Sequence, residues 1–277
     1  MIPKIIHYCW LSKEPIPNDL LHCMETWEKV LPNYEFILWD FNRFPKNKSQ
    51  WVSDAFDRKK YAFAADYIRL YSVYHYGGIY LDMDVEVLKP FDALLNNDLM
   101  LGWQFDKDGI EIAAFGAERH SPIIKQFLDY YEKRHFIRDD GTLNMMVMPV
   151  VINALCKDLG YTFVDIKDEK EYKIKRNEKT IPLYPPSFFS PKSYVTGRIH
   201  ANETTYSIHN FKGSWTDSAQ NTTLYSILHD FYVSHIMIIL KKWGLYKIIW
   251  YCTHPFSKRR FPEKEKALQH DSTYYLK

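Results

Sequence analysis

The sequence predicts an α/β fold, a mostly parallel sheet between helices, and three observations carry that prediction. Short apolar segments of two-residue period alternate with longer segments of three- and four-residue period through the first half of the chain. The longest helical segment stops at a double glycine, Gly77-Gly78, that feeds directly into an apolar run. That run ends in two carboxylates one residue apart, Asp82 and Asp84, and ligands of open α/β sheets gather at the carboxyl ends of strands.

Taken in order, Lys4 to Tyr8 reads as the first strand, and a loop with Pro15 and Pro17 follows. Asn18 is suited to cap a helix to about Val30, with Leu20, Leu21, Met24 and Trp27 on one face. Tyr34 to Trp39 alternates as a second strand. The helix from about Lys60 to Tyr76 carries Phe63, Ile68, Leu70, Val73 and Tyr74. Leu99 to Trp103 and Ile112 to Phe115 read as further strands, and Ser121-Pro122 opens another helix. Residues 161–220 look less regular, with a Pro-rich bend from Ile181 to Pro186 and a late strand from Tyr206 to Asn210. From about Thr216 the spacing of Leu224, Ile227, Leu228, Phe231 and Tyr232 turns helical.

A chain of 277 residues suits one large domain or a domain with an appendage. We place the boundary at 220, with a helical, basic and aromatic extension over 221–277. The net charge of +2 conceals an asymmetry: from Leu224 onward nine Lys/Arg face four Asp/Glu, a net +5, and the preceding residues sum to −3. An acidic body argues against general nucleic-acid binding, and a basic tail argues for a local anionic partner. The aromatic fraction of 17% suits sugar recognition, because a ring covers the C–H face of a sugar, although most such rings fill cores. Four scattered cysteines have neither metal-ligand nor disulfide-framework spacing. The opening Met1-Ile2-Pro3-Lys4 does not read as a leader peptide, and no apolar run reaches the length of a membrane span. These features predict a cytoplasmic protein with reduced thiols.

In Gly77-Gly78-Ile79-Tyr80-Leu81-Asp82-Met83-Asp84 the strand period turns Asp82 and Asp84 to one side at the strand exit. Two hard oxygen ligands there suit Mn²⁺ or Mg²⁺ together with substrate phosphates. A lone Asp-x-Asp is weak evidence. Asp66 and Arg69, three apart on the preceding helix, share a face just upstream of the same strand, where the bland alternative is a surface ion pair.

Three ordered motifs resemble glycosyltransferase family 32, the Och1-like mannosyltransferases and capsular-polysaccharide glycosyltransferases, akin to the catalytic domains of clostridial glucosylating toxins. They are Ile2-Pro3-Lys4-Ile5-Ile6-His7-Tyr8-Cys9-Trp10; Ala65-Asp66-Tyr67-Ile68-Arg69 with Gly77 to Asp84; and His209-Asn210-Phe211-Lys212-Gly213-Ser214-Trp215. The resemblance implies a GT-A fold, a nucleotide-diphosphate sugar donor, a divalent metal (usually Mn²⁺) and retention of anomeric configuration. Carried onto this chain, Asp84 ligates the metal, Asp82 bridges ribose and metal, and His209 is the third ligand. Asp66 and Arg69 hold the sugar hydroxyls. Trp10 stacks on the base beside His7, Tyr80 packs near the ribose or sugar, and Ser214 and Trp215 reach the diphosphate. Ala65 stands where relatives often carry Ser, so one donor contact is missing or supplied differently.

The expected reaction is metal-dependent, retaining transfer of a hexose, from a UDP-sugar in preference to a GDP-sugar, to a surface glycan or a polyprenyl-linked oligosaccharide. With no confident carboxylate nucleophile in the sequence, the acceptor hydroxyl attacks from the front face. Two alternatives compete. Leu81-Asp82-Met83-Asp84-Val85 also looks like the nucleophile strand of a haloacid-dehalogenase-type phosphatase, with Asp139-Asp140 available downstream, and a non-catalytic sugar-binding module is the third reading. Trp243 to Tyr251, between Lys241-Lys242 and Lys258-Arg259-Arg260, suits peripheral contact of 243–277 with the inner face of the cell membrane.

Overall fold

The computed structural model describes residues 1–105, 109–194 and 197–212. Residues 1–193 and 198–212 fall in one compact unit. Its central sheet contains β1 (Ile5–Cys9), β2 (Glu35–Trp39), β3 (Gly78–Leu81), β5 (Leu99–Trp103) and β6 (Ile110–Ala117), in the order β2-β1-β3-β6-β5. The short strand β4 (Val85–Val87) lies outside it and pairs with β9 (Ser207–His209). β1 is parallel to both β2 and β3, whereas β6 is antiparallel to β3 and β5. Four strands therefore run one way and β6 runs back. The reversal brings the first residues of β6 beside the carboxyl end of β3, where the acidic pair sits.

Helix α1 (Asn18–Val30) starts at the predicted residue, but Asn18 does not cap it. Pro17 occupies the cap position in an extended conformation, Asn18 is already helical, and Asp19 supplies the first-turn negative charge. α2 (Gln50–Asp57) was not anticipated. Ser49 caps it by accepting from the Val52 N–H, and Trp51, Val52 and Ala55 face the core. α3 (Tyr61–Tyr76) packs against α2, α4 (Pro122–Glu132), β1 and β3. Buried nearly all round, it carries no polar stripe. The region expected to be irregular holds β7 (Thr162–Asp165), α6 (Glu169–Lys175), β8 (Thr180–Leu183) and α7 (Pro186–Phe189), after α5 (Met148–Asp158). β7 and β8 form their own parallel pair, and at four residues each they are too short to show a period.

Three buried tryptophans knit the layers, and each indole N–H finds an acceptor. Trp27 on α1 donates to the Val85 carbonyl (2.7 Å), Trp51 on α2 to the Phe63 carbonyl (2.8 Å), and Trp39 on β2 to His7 Nδ1 (3.1 Å). The other His7 nitrogen, Nε2, then carries the proton and donates to the Gly77 carbonyl at 2.7 Å. Burial holds this imidazole neutral, its pKa lowered to about 4.

Gly77 and Gly78 let the chain enter β3 in close contact with the start of β1. Their φ values are 68° and 105°, and a Cβ on Gly78 would lie 2.6 Å from the Ile5 carbonyl oxygen. Gly78→Ala is expected to cost about 3 kcal/mol through strain and backbone clash, read as a clear fall in thermal unfolding temperature. No helix among the described residues is long and apolar enough to cross a membrane.

Candidate functional site

The site grows from the junction of α3, β3 and the start of β6. Arg69 projects from α3 toward the end of β3 with only 5% of its side chain exposed. Its Nη1 donates to Asp82 Oδ2 (3.3 Å) and to the Ile112 carbonyl (3.2 Å), and its Nη2 lies 3.2 Å from Asp82 Oδ1. Nη2 also reaches Asp66 Oδ1 at 3.5 Å. The Tyr80 ring lies under this guanidinium, 4.8 Å from centroid to Cζ, and its hydroxyl donates to Asp82 Oδ1 (3.0 Å). Arg69 Nε is buried without a partner. These residues are not the surface ion pair that their spacing also allowed.

One guanidinium thus serves two carboxylates, which leaves a surplus negative charge in a buried place. Burial raises the pKa of Asp66 to about 7, opposed by Arg69 and assisted by the neighbouring Asp82 charge. Burial also raises that of Asp82, again against Arg69. Because the folded-state pKa of Asp66 lies above its unfolded value, ionising it lowers stability as pH rises from about 4 through about 7. Asp66→Asn removes that cost. In thermal unfolding of the metal-free protein the variant is expected to gain on the order of 1–2 kcal/mol over the parent at pH 8, a gain that shrinks toward pH 4.

Asp82 and Asp84 do converge, but not because a strand continues. β3 ends at Leu81, and the Val85 N–H bonds to the Asp82 carbonyl (3.0 Å) across a tight turn through Met83 and Asp84. The turn launches β4, whose Val85 pairs with His209 on β9. The Trp27 bond to the Val85 carbonyl fixes this corner from the other side. Ligand atoms of Asp82, Asp84 and His209 all lie within 4.8 Å of one another, with His209 Nε2 3.6 Å from Asp84 Oδ2. Asp84 is held from the downstream chain as well, since its Oδ2 accepts the Lys212 N–H (2.9 Å) and its carbonyl the Asn210 N–H (3.0 Å).

Sequence reasoning missed Glu111. On β6 it is wholly buried, its Oε1 accepts the Ala113 N–H (2.7 Å), and its Oε2 lies 3.4 Å from His209 Nδ1. Burial would lower the pKa of His209, but Glu111, Asp84 and Asp82 together hold it up at about 9. The only signal in the sequence is an acid in an otherwise apolar strand, Ile110-Glu111-Ile112-Ala113-Ala114-Phe115.

The other expected site residues divide. Trp10 follows β1 at the same edge of the sheet, partly exposed, with its indole N–H on the Glu14 carbonyl (3.0 Å). Tyr80 is almost fully buried beneath Asp82, and His7 is fully buried with both nitrogens engaged. Ser214, Trp215 and the extension 221–277 lie outside the described residues. The phosphatase reading finds little support in this geometry. Asp82 lies just past the end of β3, its carboxylate tied to Arg69 and Tyr80, and Asp140 turns its carboxylate into its own loop, onto Thr142.

Two carboxylates and an imidazole make a donor set suited to a divalent transition-metal cation, Mn²⁺ above Mg²⁺ because of the nitrogen. The buried Asp66–Arg69 pair adjoins this set through Asp82. Residues 17–101 match the family model described as the glycosyltransferase sugar-binding region containing the DXD motif. The chain carries that region on a GT-A-like α/β fold with a mixed sheet.

Two mannosyl phosphorylinositol ceramide synthases of Saccharomyces cerevisiae are similar to it. One is 30% identical, over 70% of this chain and 49% of its own length, and the other 25% identical, over 94% and 66%. An inositol phosphoceramide mannosyltransferase of Schizosaccharomyces pombe is 35% identical over 34% of this chain and 28% of its own. The chain thus spans about half the length or less of the first of these and of the last. Among solved structures, the PaToxG glycosyltransferase superposes with a TM-score of 0.39 at 18% identity, over 47% of this chain and 60% of that one.

Proposed function

We propose that this protein transfers a mannosyl group from a nucleotide-diphosphate donor to a hydroxyl of a lipid-borne acceptor, using a divalent cation held by Asp82, Asp84 and His209. The observation that carries the proposal is the convergence of that donor set in front of the buried Asp66–Arg69 pair, inside the DXD region. The names of the similar yeast proteins support mannose and a phosphoinositol-bearing lipid. On that ground GDP-mannose replaces the UDP-sugar that the sequence reading preferred.

The cation, when bound, supplies positive charge against the diphosphate as the glycosidic bond breaks. Asp82 is presented to it in a fixed orientation by Arg69 and Tyr80, and Asp84 by the Lys212 N–H. Tyr80 acts through Asp82 and not by touching the donor. Asp66 and Arg69 are assigned to the sugar hydroxyls. Trp10 stacks on the base. His7 is left out of the donor contacts, because its two nitrogens already bind Trp39 and Gly77. Ser214 and Trp215 are assigned to the diphosphate by the resemblance of their motif alone.

Each carboxylate at the site has another role: Asp82 and Asp84 would hold the cation, Glu111 stands behind His209, and Asp66 pairs with Arg69. Front-face attack by the acceptor hydroxyl, with retention of configuration, is therefore the mechanism we favour. Incubation with a panel of nucleotide sugars and Mn²⁺ tests the reading. GDP-mannose should be consumed and GDP released, and removing the metal should stop both. Binding of GDP-mannose without any release of GDP would support a sugar-binding module instead.

The basic, aromatic segment 243–277 is proposed to hold the enzyme at the lipid surface that carries its acceptor. Deleting it should abolish co-sedimentation with anionic vesicles while leaving hydrolysis of the donor in solution intact.

A further inference from the structure

Glu111 is an expensive residue to place where it is. Its side chain is 0% exposed, and removing an ionised carboxylate from water is costly unless it is paired and hydrogen-bonded. Ser190 favours the charge from one side, and two further bonds orient the carboxylate. Oε1 accepts the backbone N–H of Ala113 (2.7 Å), which fixes the side chain on its own strand, and Oε2 faces His209 Nδ1 at 3.4 Å. His209 Nε2 points the opposite way, toward Asp84 at 3.6 Å. The three groups form a line from the sheet interior to the donor set.

An imidazole ligates through a nitrogen that carries no proton, so its other nitrogen must hold the proton and needs an acceptor. Resting on the metal reading above, we propose that Glu111 is the positioning residue of the metal site, fixing the Nδ1–H tautomer of His209 so that Nε2 is free to ligate. A carboxylate is required because two donors, the Ala113 N–H and the His209 Nδ1–H, converge on it from different directions. A glutamine offers one acceptor oxygen and an NH₂ group. It can satisfy only one of those donors and turns an N–H toward the other. If that other is His209, the ring is driven to the opposite tautomer, with its proton aimed at the metal.

The role concerns one ligand, and so it concerns which metal is bound. Mn²⁺ gains from a nitrogen ligand, whereas Mg²⁺ is held through carboxylates, phosphates and water. Glu111 therefore contributes to selecting Mn²⁺ over Mg²⁺ without touching either.

The test is the affinity of the intact chain for each metal, with Mn²⁺ followed by electron paramagnetic resonance and Mg²⁺ by competition. Glu111→Gln should weaken Mn²⁺ binding roughly ten- to a hundredfold and Mg²⁺ binding by less than about threefold. In a His209→Asn background the same substitution should have no further effect on Mn²⁺. Equal losses for both metals, or a loss that persists without His209, would show a merely structural residue and overturn the proposal. A measurement on the parent protein needs no variant to fold: long-range ¹H–¹⁵N spectra of the Zn²⁺-loaded form should show the His209 proton on Nδ1, and a proton on Nε2 overturns the assignment. A parent protein that binds no Mn²⁺ would overturn the metal reading itself, and this inference with it. A parent that binds Mn²⁺ normally, beside an unaffected Glu111→Gln, would overturn this inference alone.

Discussion

Asp84→Asn is expected to lower metal-dependent sugar transfer by about three orders of magnitude and to leave the fold intact. Asparagine keeps the shape and an oxygen to accept the Lys212 N–H, so the downstream chain stays attached. What it loses is the charge that attracts the cation beside Asp82 and His209. Thermal unfolding in EDTA should change by no more than about 1 kcal/mol, because removing this carboxylate relieves repulsion with Asp82 as it forfeits attraction to His209. Turnover at saturating Mn²⁺ within tenfold of the parent would place the metal elsewhere.

Arg69→Ala should be the most damaging single change for folding. It leaves Asp66 and Asp82 without their counter-charge and the Ile112 carbonyl without its donor, a loss of about 3–5 kcal/mol by the measure of other broken buried pairs. Arg69→Lys separates charge from geometry. An ammonium keeps the charge, but it cannot hold both Asp82 oxygens and the Ile112 carbonyl as the planar fork does. The lysine variant should therefore fold and still lose about a hundredfold in turnover. Pairing Arg69→Ala with Asp66→Asn should recover part of the lost stability, since one of the stranded charges is then gone. Denaturant unfolding of the four proteins measures each term.

What the sequence made legible follows from which interactions are local. The Asp66–Arg69 pair was readable because three residues on a helix fix a shared face, and Asp82–Asp84 because two residues beyond a strand have few ways to lie. Even there the stated reason was incomplete, since a turn and not strand period brings the two acids together. β4 was invisible for the same cause: it is three residues long and begins inside that turn.

The burial of α3 was hidden because a helix wrapped by sheet and helices carries no polar stripe to read. His7 appeared in a motif beside Trp10 and so looked like a ligand contact. Only the distant Trp39 and Gly77 show that it fastens strands instead. Glu111 lay furthest from view. Its partner is 98 residues away, and an acid among alternating apolar residues normally marks the wet face of a strand. The reversed direction of β6 is what delivers it to the site, and no local pattern encodes that direction.

The central claim is that Asp82, Asp84 and His209 hold the cation that meets the donor's diphosphate. Diffraction at the manganese edge from crystals grown with Mn²⁺ and GDP tests it most directly. The account predicts one strong anomalous peak within bonding distance of Asp84 and His209 Nε2 and adjoining the GDP phosphates. GDP bound at the end of β3 with no peak there, or a peak ligated by other residues, would contradict it.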